Sequence, residues 1–297
     1  MSDMKSAIEG FDEAAYLKLN PDIRAAVDEG IFSSGLAHYV AHGRNENRPG
    51  TPAKRMTQPE DTREFRFTGP VPPEALRRRV HGNCDLASFE TIGKIVSYNI
   101  YGAIHATLEL SAESRILDFG CGCGRVLRYF HELCGTGVYY GTDIDEEGIA
   151  WCQSHLSGIG TFLANKEWPP MAFEDGFFDF IFSISIFTHL PEVMQFAWLE
   201  ELRRVTRPGG YLVLTTHGEE LFPNASREAG EQFRRAGFFY SVGTVTDGLP
   251  DFYQTSYHAN SYIEARWSRF FEIKNIIKKG IANNQDLILC RRPVASA

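Results

Sequence analysis

RILDFGCGCGRVLRYF, residues 115–130, is the stretch from which the fold is read. A short apolar run (Ile116, Leu117, Phe119) ends in glycines at alternate positions, Gly120, Gly122 and Gly124. Val126, Leu127, Tyr129 and Phe130 then start a helical pattern. Strand, glycine turn and helix form the opening unit of a doubly wound α/β domain. The glycines let the backbone bend and approach a ligand that any Cβ would push away. The helix start behind them offers free N–H groups to an anionic group.

The spacing also restricts the ligand. A dinucleotide fingerprint needs a third glycine where Arg125 stands. Asp118, at the end of the strand, would repel a pyrophosphate but accept a hydrogen bond from an ammonium group. A second strand, about 137–143, ends at Asp143 in GTDIDEE, the position for a carboxylate that grips ribose hydroxyls. The implied ligand has a ribose and a zwitterionic tail and lacks a diphosphate.

With these residues the chain resembles the class I S-adenosylmethionine-dependent methyltransferases. The resemblance is carried by LDFGCGCGR (117–125), YYGTDID (139–145), FFDFIFSISIFTHL (177–190) and ELRRVTRPGGYLVLTTHG (201–218). It implies a Rossmann-like, doubly wound, mostly parallel seven-stranded sheet with an antiparallel last strand, and S-adenosyl-L-methionine as cofactor. Asp118 and the 120–124 backbone, with Cys121, would hold the amino-acid part of the cofactor. Asp143 would take the ribose hydroxyls, Ile144 would pack on the adenine, and the Asn165 amide oxygen would accept from the adenine amino group. Small Ser183 and Ser185, at the exit of the fourth strand, suit close approach to the cofactor. Arg125 reads either as a group orienting the tail or as a surface residue of the first helix.

Around this core the chain reads as a small helical module (1–50), a linker with helices (51–110) and the main domain (111–297). The cofactor core spans 115–218 and a substrate-facing insertion about 224–262. The first module resembles a short bacterial "NPDI…HY..HG" module that occurs beside other enzymes. Within it Asp22–Val27 and Gly35–Ala41 read as short helices, and residues 1–50 are a possible protein-docking segment. His38 and His42 lie four apart on one helix face, but no acid or cysteine accompanies them, so no metal is expected. Prolines at 49, 52, 59, 70, 72 and 73 mark the linker. Ile92, Ile95, Val96, Ile100 and Ile104 repeat at helical spacing. In the family such a helix borders the site, which makes Tyr98 and Tyr101 candidate substrate contacts.

Further along, strands are expected at 161–164, 178–183 and 211–216, the last entered through a sharp Arg207–Gly210 turn. Glu192–Val205 and 224–236 read as helices, 237–257 as an aromatic-rich insertion, and His258–Phe270 as a helix. Strands Phe271–Ile277 and Asp286–Arg292 close the chain. Tyr253 and Tyr257 sit where the family places substrate-facing groups. Methyl transfer from a sulfonium needs a base only if the acceptor must lose a proton. The candidates for that role are His258, His189 and His217, in that order.

The 297 residues are 43% hydrophobic and carry a net charge of −8, which excludes a general electrostatic grip on nucleic acid. Arg77-Arg78-Arg79 reads as a solvated helix face. No apolar run approaches the roughly 18–20 residues that span a bilayer. Cys84, Cys121, Cys123, Cys134, Cys152 and Cys290 are scattered, as in a reducing compartment. Cytoplasmic residence and a small-molecule substrate are therefore the expectation. A non-methylating enzyme on the same fold and a catalytically idle scaffold are the alternatives.

Overall fold

The structure, a computed structural model, describes residues 13–28, 30, 34–38, 69–222, 226–243 and 249–294. The chain divides into two compact units, Met1–Arg63 and Glu64–Ala297.

In the first unit α1 (Glu13–Leu19), α2 (Pro21–Asp28) and α3 (Gly35–His38) surround Tyr16 and Ile23. The Tyr16 hydroxyl lies 2.9 Å from His38 Nδ1, and both side chains are buried. His38 is thus a core residue in this unit, while His42 lies outside the described residues.

In the second unit α4 (Glu74–His81) and α5 (Leu86–Ile104) precede the sheet. Then β1 (Arg115–Phe119), α6 (Leu127–Cys134), β2 (Val138–Asp143), α7 (Glu146–His155), β3 (Thr161–Ala164), β4 (Phe178–Ser183), α8 (Glu192–Val205) and β5 (Thr206–Thr216) alternate. After β5 come α9 (Arg227–Ala236), a hairpin of β6 (Phe238–Ser241) and β7 (Thr255–His258), α10 (Asn260–Arg266), β8 (Glu272–Ile281) and β9 (Gln285–Arg291). The main sheet has seven strands in the order β3-β2-β1-β4-β5-β9-β8. β1 to β5 are mutually parallel, and β9 runs antiparallel to both β5 and β8. This is the Rossmann-like methyltransferase topology, with its order reversing between β1 and β4.

β4 shows why this sheet is central. Phe178 and Ile181 enter the core on the α8 side, and Phe180 and Phe182 the core under α5 and α6. Each buried phenylalanine contributes about 2 kcal/mol of apolar transfer, and burial of five of the six β4 positions fits a strand covered on both faces. Gly93 lets α5 lie against α6, since a Cβ there would sit 2.7 Å from Tyr129.

Several boundaries differ from the sequence expectation. The Arg207–Gly210 segment is part of β5, with Gly209 at φ +80° and a register shift against β4. His258 ends β7, paired with Phe238 of β6, and the helix that follows starts at Asn260. No helix among the described residues is long and apolar enough to cross a membrane.

Candidate active site

The ends of β1, β2 and β4 open on a cavity of about 360 Å³. At the end of β1 the chain turns through Gly120 (φ +81°) and Gly122 (φ +53°), left-handed conformations that favour glycine. The loop is fastened to β2: the N–H groups of Gly120 and Cys121 donate to the Thr142 carbonyl, and that of Gly122 donates to Asp143 Oδ2 at 2.7 Å. Ile186 and Val80 close over the two glycines, with carbons 2.2 and 2.4 Å from where a Cβ would stand.

Asp118 is 2% exposed, and its Oδ2 has no hydrogen-bond partner among the described residues. Burial, and then the Asp143 carboxylate, push its pKa well up; Arg125 and a hydrogen bond from the Leu127 N–H oppose this. Asp143 also accepts from the Asp145 N–H at 2.9 Å, so each of its oxygens holds one backbone donor and keeps acceptor capacity. Asn165 lines the cavity with Oδ1 buried and unpartnered among the described residues, its Nδ2 donating to the Lys166 carbonyl.

Arg125 lies inside the cavity wall, 8% exposed, and is no surface residue. It bonds His81 Nδ1 at 2.9 Å, its Nε is unpartnered, and it forms no ion pair among the described residues. Ser185, at φ +61°, also lines the cavity; its N–H donates to Thr215 Oγ1 and its hydroxyl accepts from Gln285. Cys121 and Ile144 complete the expected set that lines the cavity. Cys121 is a buried thiol, with its pKa raised by burial.

Other expected residues lie elsewhere. Gly124 does not line the cavity: a Cβ there would meet Leu156 at 2.6 Å, so its role is to let the loop pack against the end of α7. Ser183 is fully buried beneath the site. Tyr98 and Tyr101 are not part of the cavity wall; Tyr101 stacks on His105 instead. Of the later tyrosines, Tyr253 lines the cavity, with its hydroxyl 2.9 Å from the Ser185 carbonyl, whereas Tyr257 packs on His217 and Phe222.

Only one of the three histidines lines it. His189 stacks on Tyr253 (4.3 Å between ring centroids), and its Nδ1 is 2.6 Å from the Gln254 carbonyl. Burial lowers its pKa. His217 lies behind it, edge-on at 5.9 Å, with its pKa lowered to about 4. His258, the first choice from sequence, is fully buried among Phe238, Tyr262 and Trp267 and bonds Gln195 through Nε2. It is a core residue.

The α4 helix supplies cavity residues that the sequence did not suggest. Arg79 pairs with Asp145 at 2.8 Å and with Glu147, and Arg77 is buried, donating to the Pro72 and Cys84 carbonyls. Arg77 and Arg79 are therefore not part of a solvated face, whereas Arg78 is exposed as expected. Apolar and aromatic side chains, among them Phe119, Leu190, Trp198, Leu249 and Phe252, form much of the remaining wall.

Residues 117–214 match the family described as "Methyltransferase domain". A probable phthiotriol/phenolphthiotriol dimycocerosates methyltransferase 2 of Mycobacterium ulcerans (strain Agy99) is 34% identical over 115 residues, 38% of this chain and 43% of the relative. A fatty-acid O-methyltransferase of Mycolicibacterium smegmatis (strain ATCC 700084 / mc(2)155) is 28% identical over 119 residues, 40% of this chain and 42% of the relative. The alignments span less than half the length of these curated relatives. A solved S-adenosylmethionine-dependent methyltransferase from Methanosarcina mazei aligns with a TM-score of 0.49 at 20% identity, over 65% of this chain and 97% of the other. The matched residues 117–214 lie on this Rossmann-like, class I fold and resemble a methyltransferase domain.

Proposed function

We propose that the chain is an S-adenosylmethionine-dependent methyltransferase acting on a small-molecule acceptor. One observation carries the reading: Asp118 Oδ2 and Asn165 Oδ1 are buried acceptors without partners among the described residues, and both belong to the wall of the cavity that the Gly120–Gly122 loop borders. Unsatisfied buried acceptors are costly unless a ligand completes them. An ammonium group at Asp118 and an adenine amino group at Asn165 do so. Asp143 keeps acceptor capacity for ribose hydroxyls, Ile144 offers an apolar face to the base, and the Arg125 guanidinium, which forms no ion pair among the described residues, suits the carboxylate of the tail.

The cofactor supplies a methyl group already activated by positive sulfur. The protein's part is to orient the acceptor and exclude water. The apolar and aromatic wall supports an acceptor with an apolar body, lipid-linked or a secondary metabolite, over a sugar. The names of the two mycobacterial relatives point the same way.

Calorimetric titration with S-adenosylmethionine, S-adenosylhomocysteine and NAD tests the reading. Micromolar binding of the first two and none of NAD is expected. Binding of NAD alone, or of nothing, overturns it.

A further inference from the structure

Resting on the methyltransferase reading, we infer that the acceptor presents a hydroxyl on an apolar body and that His189 takes the hydroxyl proton. The argument starts from His189 Nδ1, 2.6 Å from the Gln254 carbonyl. A carbonyl only accepts, so Nδ1 carries the hydrogen. A neutral imidazole has one N–H, which leaves Nε2 with its lone pair, and among the described residues the ring's hydrogen bond is the one through Nδ1. The ring is held in place twice over. It stacks on Tyr253, and the backbone N–H of Gln254 donates to the His189 carbonyl at 3.0 Å.

The neighbouring groups Tyr253 and Ser185 already have hydrogen-bond partners. The Tyr253 hydroxyl donates to the Ser185 carbonyl, the Ser185 hydroxyl accepts from Gln285, and the Ser185 N–H donates to Thr215. Among the described cavity-lining side chains at the β4 end, Nε2 is an acceptor with no hydrogen-bond partner; Thr188 Oγ1 and Gln285 Oε1 are also unpartnered but do not line the cavity. The titratable groups facing the ring are His217, edge-on at 5.9 Å, and Tyr253, whose pKa burial raises. Neither carries charge at pH 7, so the lone pair stays available there.

That acceptor selects a ligand class. A carboxylate brings no proton and meets a lone pair with its own. An amine enters protonated and needs a carboxylate partner; the acids lining the cavity, Asp118, Asp143, Asp145 and Glu167, all sit at or just beyond the ends of β1, β2 and β3. A hydroxyl donates to Nε2 as it stands. As the hydroxyl oxygen bonds the methyl carbon, the carbon–sulfur electron pair stays on sulfur and the proton passes to Nε2. The products are an ether, a neutral thioether and a histidinium that returns its proton to solvent.

Two measurements test this. In long-range ¹H–¹⁵N spectra of the labelled chain at neutral pH, His189 is expected as the Nδ1–H tautomer. An Nε2–H tautomer or a histidinium overturns the proposal. The second is calorimetry on the chain saturated with S-adenosylhomocysteine, using 4-propylphenol and 4-propyltoluene as matched probes. His189→Phe keeps the aromatic stack and removes the acceptor, and is expected to weaken the phenol about five- to tenfold while the toluene changes less than about twofold. Equal losses, no loss, or a wild-type chain that binds the phenol no better than the toluene overturn it. Failure to bind S-adenosylhomocysteine at all counts against the cofactor reading instead, and leaves the tautomer result to decide the role of His189.

Discussion

Arg79 and Asp145 form an ion pair at 2.8 Å that ties α4 to the first turn of α7. Both side chains are largely buried, at 20% and 10% exposure, and Asp145 also caps α7 by accepting from the Gly148 N–H. The pair sets the height of Val80, the next residue, above Gly122. Partly buried pairs of this kind are worth about 1 kcal/mol. Arg79→Met should therefore weaken S-adenosylhomocysteine about fivefold by calorimetry, with little change in Tm. Unchanged affinity would remove α4 from the binding site.

On the proposed reading, Asp118 should make cofactor binding proton-linked. Its folded pKa lies above the unfolded value of about 3.9. Stability from this group is thus fully present below the unfolded pKa and is lost as pH rises through the folded one. Asp118→Asn should raise the Tm of the unliganded chain near neutral pH. An ammonium group beside the carboxylate reverses the shift, so binding at a pH between the unfolded and the folded pKa should release protons. That release appears as a dependence of the observed heat on the buffer's ionisation enthalpy. In Asp118→Asn the dependence should shrink and the affinity should fall more than tenfold.

The features legible in the sequence were those written in local spacing. The glycine loop, Asp118, Asp143 and the apolar β4 run each declare themselves within a few residues, and the structure places them as expected. What was hidden depends on packing between distant segments. Val80 and Arg79 reach the site only because α4 docks on residues 42 to 66 positions further along the chain. His258 looked available because aromatic residues surround it in sequence, but those same rings seal it into the core. Tyr98 and Tyr101 lie on a helix whose buried face is set by Gly93, Val96, Ser97 and Ile100, so they flank that face and miss the cavity.

Gly122 and Gly124 should separate ligand binding from stability. Both have positive φ, so alanine at either position costs about 1–2 kcal/mol of backbone strain. The Gly122→Ala methyl would also push Val80 off the loop, whereas the Gly124→Ala methyl meets Leu156 at the end of α7. Similar losses of Tm are expected, with a large drop in S-adenosylhomocysteine affinity for Gly122→Ala alone. Adding Val80→Ala to Gly122→Ala should recover affinity and leave the Tm loss in place. Equal affinity loss in the two single variants would give Gly124 a binding role.

The buried histidines should make the chain acid-sensitive. Gln195 donates to the Phe187 and Leu190 carbonyls, so its Oε1 must accept from His258 Nε2, and the other ring nitrogen, Nδ1, is buried without a partner among the described residues, which favours the neutral ring. Burial depresses the His258 pKa to about 3 and that of His217 to about 4. Groups depressed in this way contribute stability that is present above the unfolded value of about 6.5 and is lost as pH falls towards the folded value. Tm should therefore drop between pH 6.5 and 4. His258→Phe leaves Gln195 Oε1 unpaired, which lowers Tm at pH 7 through a penalty of about 1–3 kcal/mol, yet the fall of Tm with acid should be shallower than in the wild type. Cofactor affinity at pH 7 should stay within about twofold, because nothing in the cavity wall has moved. A parallel fall in affinity would return His258 to the site, and an unchanged acid slope would place the sensitivity in other groups.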